Sequence, residues 1–263
     1  MTAVPLDVPQ GTVELAHELA DASGEILRRY FRGRFETTRK SDESPVTEAD
    51  RLAEQAIRRQ ISETFPDHGI IGEEFGAERE EANFVWVIDP IDGTKSFVTG
   101  KPLFGTLIAL LNRGAPVLGV IDQPILRERW VGVAGRETLF NDRPIRTRPC
   151  SVLSEAMLYA TSPHMFKGTA AAAFDRVRER VAWPNYGADC YAYGLVASGF
   201  ADLVVEADLK LFDFAALVPV ITGAGGVMCD WSGDPLSPGS TGEVIAAGDA
   251  ALIPQILPLL RGC

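Results

Sequence analysis

Apolar residues recur over residues 12–32 at Val13, Ala16, Leu19, Ile26, Leu27 and Tyr30, the spacing of one helical face, with Gly33 as a stop. Residues 36–46 are polar, with Lys40, Asp42, Glu43 and Pro45, and read as a loop. Thr47 then opens T-E-A-D, a capping-box pattern with Asp50 where Glu is usual. The helix it starts should turn Leu52, Ile57, Ile61 and Phe65 inward and end before Pro66. After that the period changes. Residues 84–88, F-V-W-V-I, form a short continuous run rich in β-branched and aromatic side chains and predict a buried strand. Asp89 stands at its end, and Pro90 is expected to stop the ladder. Apolar runs at 105–111, 116–121 and 129–133, spaced by turn signals such as Asn112-Arg113-Gly114, predict an antiparallel meander. Residues 139–142 close a further hairpin.

The second half alternates. Strands are predicted over 156–160, 202–206, 227–230 and 244–247. Helices are predicted over 169–181, 190–198, 212–222 (despite Pro219) and 250–261. Such alternation favours α/β layers joined to an antiparallel-rich first half, hence a mixed α/β (α+β) fold. The basic, irregular stretch 143–149 suggests a soft boundary dividing residues 1–145 from 146–263 within one compact unit. No internal repeat or low-complexity run is present.

Composition narrows the function. The 263 residues are 46% apolar and 23% charged, ordinary for a soluble globular protein. A formal charge of -11 argues against a nucleic-acid binder, although bound cations can still draw a small phosphorylated substrate to an acidic protein. The four cysteines form no C-x-x-C pair and only three histidines occur, which disfavours structural zinc and a histidine-rich metal site. Residues 1–12 carry Asp7 and two prolines and resemble no signal peptide, and no window approaches the ~20 apolar residues of a membrane span. A soluble, cytoplasmic protein is expected, without membrane partners.

Candidate chemistry centres on D-P-I-D-G-T, residues 89–94. A buried strand delivering Asp89 and Asp92 into a turn is costly unless a cation neutralises them. The carboxylates, three apart, can converge, and the Ile91 carbonyl can join them. Mg²⁺ prefers six oxygens at roughly 2.0–2.1 Å, so more acids are needed. Glu73, from G-E-E, and Asp213, from F-D, are candidates; taken singly, Glu73 reads first as a solvated loop acid and Asp213 as a helix N-cap, and they gain weight only jointly with Asp89 and Asp92. A helix starting at Gly93-Thr94 would add an anion site.

These motifs resemble the inositol monophosphatase superfamily of Mg²⁺-dependent, lithium-sensitive phosphatases. The resemblance rests on V-T-E-A-D (46–50), G-E-E (72–74), W-V-I-D-P-I-D-G-T (86–94), F-D (212–213) and G-A-G-G (223–226), in order along nearly the whole chain. It implies a layered α-β-α-β-α fold and two or three Mg²⁺ per site. Glu73, Asp89 and the Ile91 carbonyl would hold the first ion, and Asp89, Asp92 and Asp213 the second. Asp50 would hydrogen-bond Thr94, and the two would orient the attacking water, with Glu73 also part of the catalytic set. Lys40 falls near a lysine that borders the family's site. A homodimer is implied as well. Where the family's last metal motif usually reads W-D, this chain has Phe212-Asp213, which keeps the carboxylate.

Flanking residues bear on the substrate. G-T-K-S-F-V-T-G-K-P-L-F-G-T-L-I-A-L (93–110), T-S-P-H-M-F (161–166), Y-G-A-D-C-Y-A-Y (186–193) and D-L-V-V-E-A-D-L-K (202–210) resemble the histidinol-phosphate branch. Asp189 and Glu206 fall where the family meets the non-phosphate end of the substrate, beside Asp92, Gly93, Thr94 and Asp213 at the phosphate. Two acids there suit histidinol, which carries an ammonium and a protonatable imidazole. Against this, Glu206 reads as a strand-edge acid and Asp189 as an N-cap. His164 is a candidate for the pocket rim, and Cys190 has no evident base in sequence. The expected activity is hydrolysis of histidinol phosphate in histidine biosynthesis. The alternatives are an inositol-1-monophosphatase, a 3'(2'),5'-bisphosphate nucleotidase, or a noncatalytic metal- or phosphate-binding regulator.

Overall fold

The computed structural model describes residues 8–33, 37–39 and 45–262, so Lys40 lies outside the described residues. Helix α1 (Thr12–Tyr30) buries Leu15, Ala16, Leu19 and Leu27, as its periodicity requires. The expected loop is partly a ribbon, in which β1 (Thr37–Arg39) pairs antiparallel with β2 (Pro45–Thr47). Helix α2 (Glu48–Thr64) starts on the capping box, with Thr47 and Asp50 exchanging side-chain-to-backbone bonds. Its inner face differs from expectation, because Leu52 is only half-buried while Ala49, Ala53, Glu54 and Arg58 lie inward with Ile57 and Ile61.

Strands β3 (Gly69–Gly72), β4 (Gly76–Glu78) and β5 (Phe84–Asp92) follow, then α3 (Thr94–Val98). The meander comprises β6 (Gly105–Asn112), β7 (Ala115–Gln123) and β8 (Glu128–Val133), and the short β9 (Leu139–Phe140) and β10 (Arg143–Pro144) form the hairpin beyond it. Together β3–β10 make an eight-stranded sheet in the order β10-β9-β8-β7-β6-β5-β3-β4. Pro90 does not end β5. The strand runs on to Asp92, with an irregularity in its register against β6 between Asp89 and Asp92. Proline is tolerated there because β3 pairs β5 only as far as Ile88, so no partner asks for its missing N–H.

The second sheet uses β11 (Met157–Ala160), β12 (Trp183–Tyr186), β13 (Leu203–Glu206), β14 (Val227–Cys229) and β15 (Val244–Ala247), in the order β12-β11-β13-β15-β14. β12 was not expected, since W-P-N-Y lacks a strand pattern; Pro184 is accommodated because β12 is an edge strand. Helices α4 (Thr169–Arg178), α5 (Tyr191–Ala197), α6 (Leu211–Phe214), α7 (Leu217–Gly223) and α8 (Ile253–Arg261) complete the chain. The helix expected over 212–222 is two pieces, with Pro219 near the start of α7, where its missing N–H costs little.

Alternate side chains of β5 divide the core. Trp86 and Ile88 face α1 and α2, while Val85 and Val87 face the α5–α7 layer. The second sheet covers the other side of that layer with Val204, Val244 and Ala246, and turns Leu158, Leu203 and Val205 toward α4 and α8. The result is helices, sheet, helices, sheet, helices, the layering the resemblance implied. Among the described residues no helix is long and apolar enough to cross a membrane.

Candidate active site

The bulge in β5 builds the site. Asp89, buried at the end of the paired run, accepts the Ile91 N–H through Oδ1 at 2.9 Å, an Asx turn that folds the chain back. The Thr106 hydroxyl, fully buried on β6, donates to the Pro90 carbonyl at 2.9 Å and exchanges a 2.7 Å bond with Ser23 of α1. Asp92 and Asp89 thereby face one point. Asp213, on the first turn of α6, arrives from the middle helical layer. Carboxylate oxygens of Asp89, Asp92 and Asp213 all lie within 4.8 Å of one another. Asp213 also takes the Lys210 N–H at 2.6 Å, so capping and clustering are one arrangement. Glu73 leaves β3 beside them, with its N–H on the Ile88 carbonyl at 3.2 Å and its carboxyl hydrogen-bonded to that of Asp89.

Burial, then the neighbouring acids, push the Asp89 and Asp92 carboxyls well above the usual range, and burial holds Asp213 at about 7. No guanidinium pairs with these three among the described residues. Three crowded carboxylates, of which Asp213 feels a nearby ammonium, that of Lys210, either keep protons or take a cation. An all-oxygen donor set is what Mg²⁺ takes, and no sulfur or imidazole belongs to the cluster.

Thr94 and Asp50 border the cluster but do not bond each other. The Thr94 hydroxyl donates to the Ile91 carbonyl at 3.2 Å. Asp50 Oδ2 is taken by the Thr47 N–H at 2.8 Å and the Thr47 hydroxyl at 2.6 Å, while Oδ1 is buried without a hydrogen-bond partner. Capping thus claims half of the Asp50 carboxylate, and burial raises its pKa to about 6. An orphaned buried oxygen costs about 1–3 kcal/mol and marks a place for a polar occupant. Gly93, at φ 86, lets the chain leave β5 and enter α3. That helix has only five residues, a smaller anion site than the sequence suggested.

A cavity of about 160 Å³ is lined by Asp92 and Asp213 together with Asp189, Glu206, Thr161 and Tyr193, and Asp189 stands next to Asp92, whose Oδ2 accepts the Cys190 N–H at 2.5 Å. Glu206 ends β13, an interior strand, so it is no edge acid. The Thr161 N–H reaches its Oε1 at 2.6 Å and the Tyr193 hydroxyl its Oε2 at 2.8 Å. Asp189, at φ 47, accepts the Ser96 hydroxyl at 2.7 Å and does not cap α5 through its side chain. Burial raises both pKa values; for Asp189 the Ser96 hydroxyl and the charges of Lys101 and Lys95 oppose it. His164 is exposed and not in the wall of this cavity. Cys190 is in that wall, but burial and then Asp92 push its thiol well up, which disarms it as a nucleophile. A larger cavity, about 430 Å³, opens where α1 meets the β7–β8 turn, yet its central Arg129 is spent on Asp21 and Asp122, and it lies apart from the acidic cluster.

The model of the Inositol monophosphatase family matches residues 9–262. The chain belongs to that family. It is accordingly a phosphatase, with a fold shared by its structural neighbours. A curated relative, "Bifunctional phosphatase IMPL2, chloroplastic" of Arabidopsis thaliana, is 54% identical over 256 residues, 94% of this chain and 74% of the relative. "Histidinol-phosphatase" of Chlorobaculum parvum is 37% identical over 223 residues, 84% of this chain and 86% of the relative. A solved structure of an inositol monophosphatase from Zymomonas mobilis superposes with TM-score 0.90 at 48% identity, covering 97% of this chain and 99% of that one.

Within this family member, sequence reasoning named the acids but missed what fixes them. Ser96 and Tyr193 sit in stretches quoted above, but no spacing ties Ser96 to Asp189, 93 residues on, or Tyr193 to Glu206, 13 residues on. Thr106 and Ser23 gave no signal, since each reads as an ordinary strand or helix residue.

Proposed function

We propose that the chain is a Mg²⁺-dependent phosphomonoesterase hydrolysing L-histidinol phosphate to L-histidinol and phosphate, in histidine biosynthesis. The observation that carries the substrate is the acid pair Asp189 and Glu206, which lines one small cavity together with Asp92 and Asp213. Glu73, Asp89, Asp92, Asp213 and the Ile91 carbonyl would hold two or three Mg²⁺. When bound, such ions activate water and offset negative charge on the phosphoryl and leaving oxygens. Thr94 keeps acceptor capacity because its proton goes to Ile91, so it can orient the attacking water, and Asp50 keeps Oδ1 open, so its carboxylate can take that water's proton. Water adds to phosphorus as its proton passes to Asp50, the ester P–O bond breaks, and the leaving alcohol oxygen takes a proton from solvent water. Phosphoryl transfer asks little covalent work of a protein, so positioning dominates. Asp189 and Glu206, raised by burial, would ionise against the ammonium and imidazolium of the substrate.

Relatives named histidinol-phosphatase support this reading. A broader inositol-phosphate activity is favoured by the Zymomonas mobilis neighbour and by the word "bifunctional" in the Arabidopsis name. A homodimer, lithium sensitivity and a cytoplasmic site belong to the same proposal; the Arabidopsis relative is described as chloroplastic. The deciding experiment is phosphate release from histidinol phosphate, inositol 1-phosphate and a bisphosphorylated nucleotide, with and without Mg²⁺. Histidinol phosphate should be turned over best, and Asp189→Ala and Glu206→Ala should damage it more than an uncharged ester. Equal or better turnover of the inositol ester overturns the assignment.

A further inference from the structure

The turn that presents Glu73 is gripped from beneath by a charge pair that the proposed chemistry does not use. Glu54, one helical turn past Asp50 on α2, is 0% exposed. Its Oε2 accepts the Glu74 N–H at 2.8 Å, and its Oε1 accepts the Phe75 N–H at 3.2 Å and Arg58 Nε at 2.8 Å. Arg58 extends the grip, donating through Nη1 to Glu78 Oε1 at 2.9 Å and through Nη2 to the Gly76 carbonyl. The segment just after Glu73 is therefore tied to α2 at four residues. Gly72 completes the fit: a Cβ there would lie 2.0 Å from Glu54 Oε1, so a side chain would drive the carboxylate away.

The turn needs such an anchor. β4, its far arm, pairs with β3 over three residues but is exposed at all three and adds no apolar burial to that short ladder. Glu73 meanwhile meets the carboxyl of Asp89 in a hydrogen bond that lasts only while one of the two keeps a proton, so that contact cannot hold the turn once both ionise. A carboxylate buried as deeply as Glu54 is costly unless paired and hydrogen-bonded, and here pair and bonds all converge on this one segment.

We propose that Glu54, acting with Arg58, is a positioning residue that pre-forms the turn after β3 and holds Glu73 against Asp89 before any cation arrives. This rests on the reading of Glu73 as a Mg²⁺ ligand. Outer partners of metal ligands typically govern about 10–100-fold in metal affinity. Calorimetric titration with Mg²⁺ should therefore show affinity about 10–100-fold weaker in Glu54→Gln and in the charge-neutral double variant Glu54→Gln/Arg58→Met. Turnover at saturating Mg²⁺ should recover most of the wild-type value, and the melting temperature in EDTA reports whether each variant is folded. The wild type supplies a second measurement that needs no variant: in EDTA, the Glu74 and Phe75 amides should be protected from hydrogen exchange. Fast exchange of those amides in the metal-free wild type overturns the proposal. So does equal Mg²⁺ affinity in wild type and a folded variant. A wild type that takes up no Mg²⁺ at all overturns the functional reading instead, which keeps the two failures apart.

Discussion

Asp202 is as closed to solvent as Asp89, at 0% and 2% exposure, but the two are treated in opposite ways. Arg148 clasps both oxygens of Asp202, at 2.7 and 2.6 Å, and the Met157 N–H adds a third bond at 2.8 Å. Burial works against the charge of Asp202, yet these partners outweigh it and hold the carboxyl below the usual range. Among the described residues Asp89 meets other acids and the Ile91 N–H, and its carboxyl rises. Asp122 stands between the two, for burial still raises it although Arg129 bonds it at 2.6 Å. Closure to solvent alone therefore does not separate a structural acid from a chemical one. What separates them is whether the chain supplies the counter-charge or leaves it to be bound from outside.

Three measurements can break or sharpen this contrast. Asp92→Asn should lower kcat/KM by more than about 10²-fold, beyond the loss typical of outer partners. In EDTA the same variant should melt higher than wild type, because it removes a repulsive charge; a lower metal-free melting temperature would break the contrast. Asp202→Ala should do the reverse, leaving kcat nearly unchanged but costing about 3 kcal/mol by urea denaturation, at the low end for a broken buried pair because Arg148 is 40% exposed. The smallest effect is in pH. Asp50, raised to about 6, keeps its proton in the fold where the unfolded chain loses it near 4, so metal-free stability falls as pH rises from about 4 to 6. Asp50→Asn should abolish roughly 2 kcal/mol of that slope in denaturant melts across the window. Asp202 runs the other way: its depressed carboxyl contributes stability above about pH 4 that is lost as the pH falls through its folded value.

Much of the fold was legible because it rests on period. The run before Asp89 alternates faces as a strand buried on both sides must, and the α1 stripe packs as written. Legibility failed where tertiary context decides. Pro90 reads as a breaker, and only the end of the β3 ladder at Ile88 explains its tolerance. Trp183–Tyr186 carries no strand pattern, and β11 recruits it as an edge. At the site, the acids of D-P-I-D-G-T were visible as a local motif. Glu54 and Arg58 were not, because an i, i+4 Glu–Arg pair on a helix looks like solvated surface until the turn it bonds is folded onto it.

Asp213 reaches the cluster from α6, which packs on β5 and β6 although it lies far along the chain from both. The site therefore has a place in the order of folding. Strands β5 and β6 can zip as neighbours, and α1 can dock on them, before the later helices bring the last carboxylate. Contacts of long sequence separation form late, since closing the loop must precede any gain. The final docking step must also bring a like charge up to Asp89 and Asp92, which a divalent cation would ease. Recovery of Mg²⁺-dependent turnover during refolding is thus a clock for that step, lagging the helix and sheet signals and quickening when Mg²⁺ is present from the start.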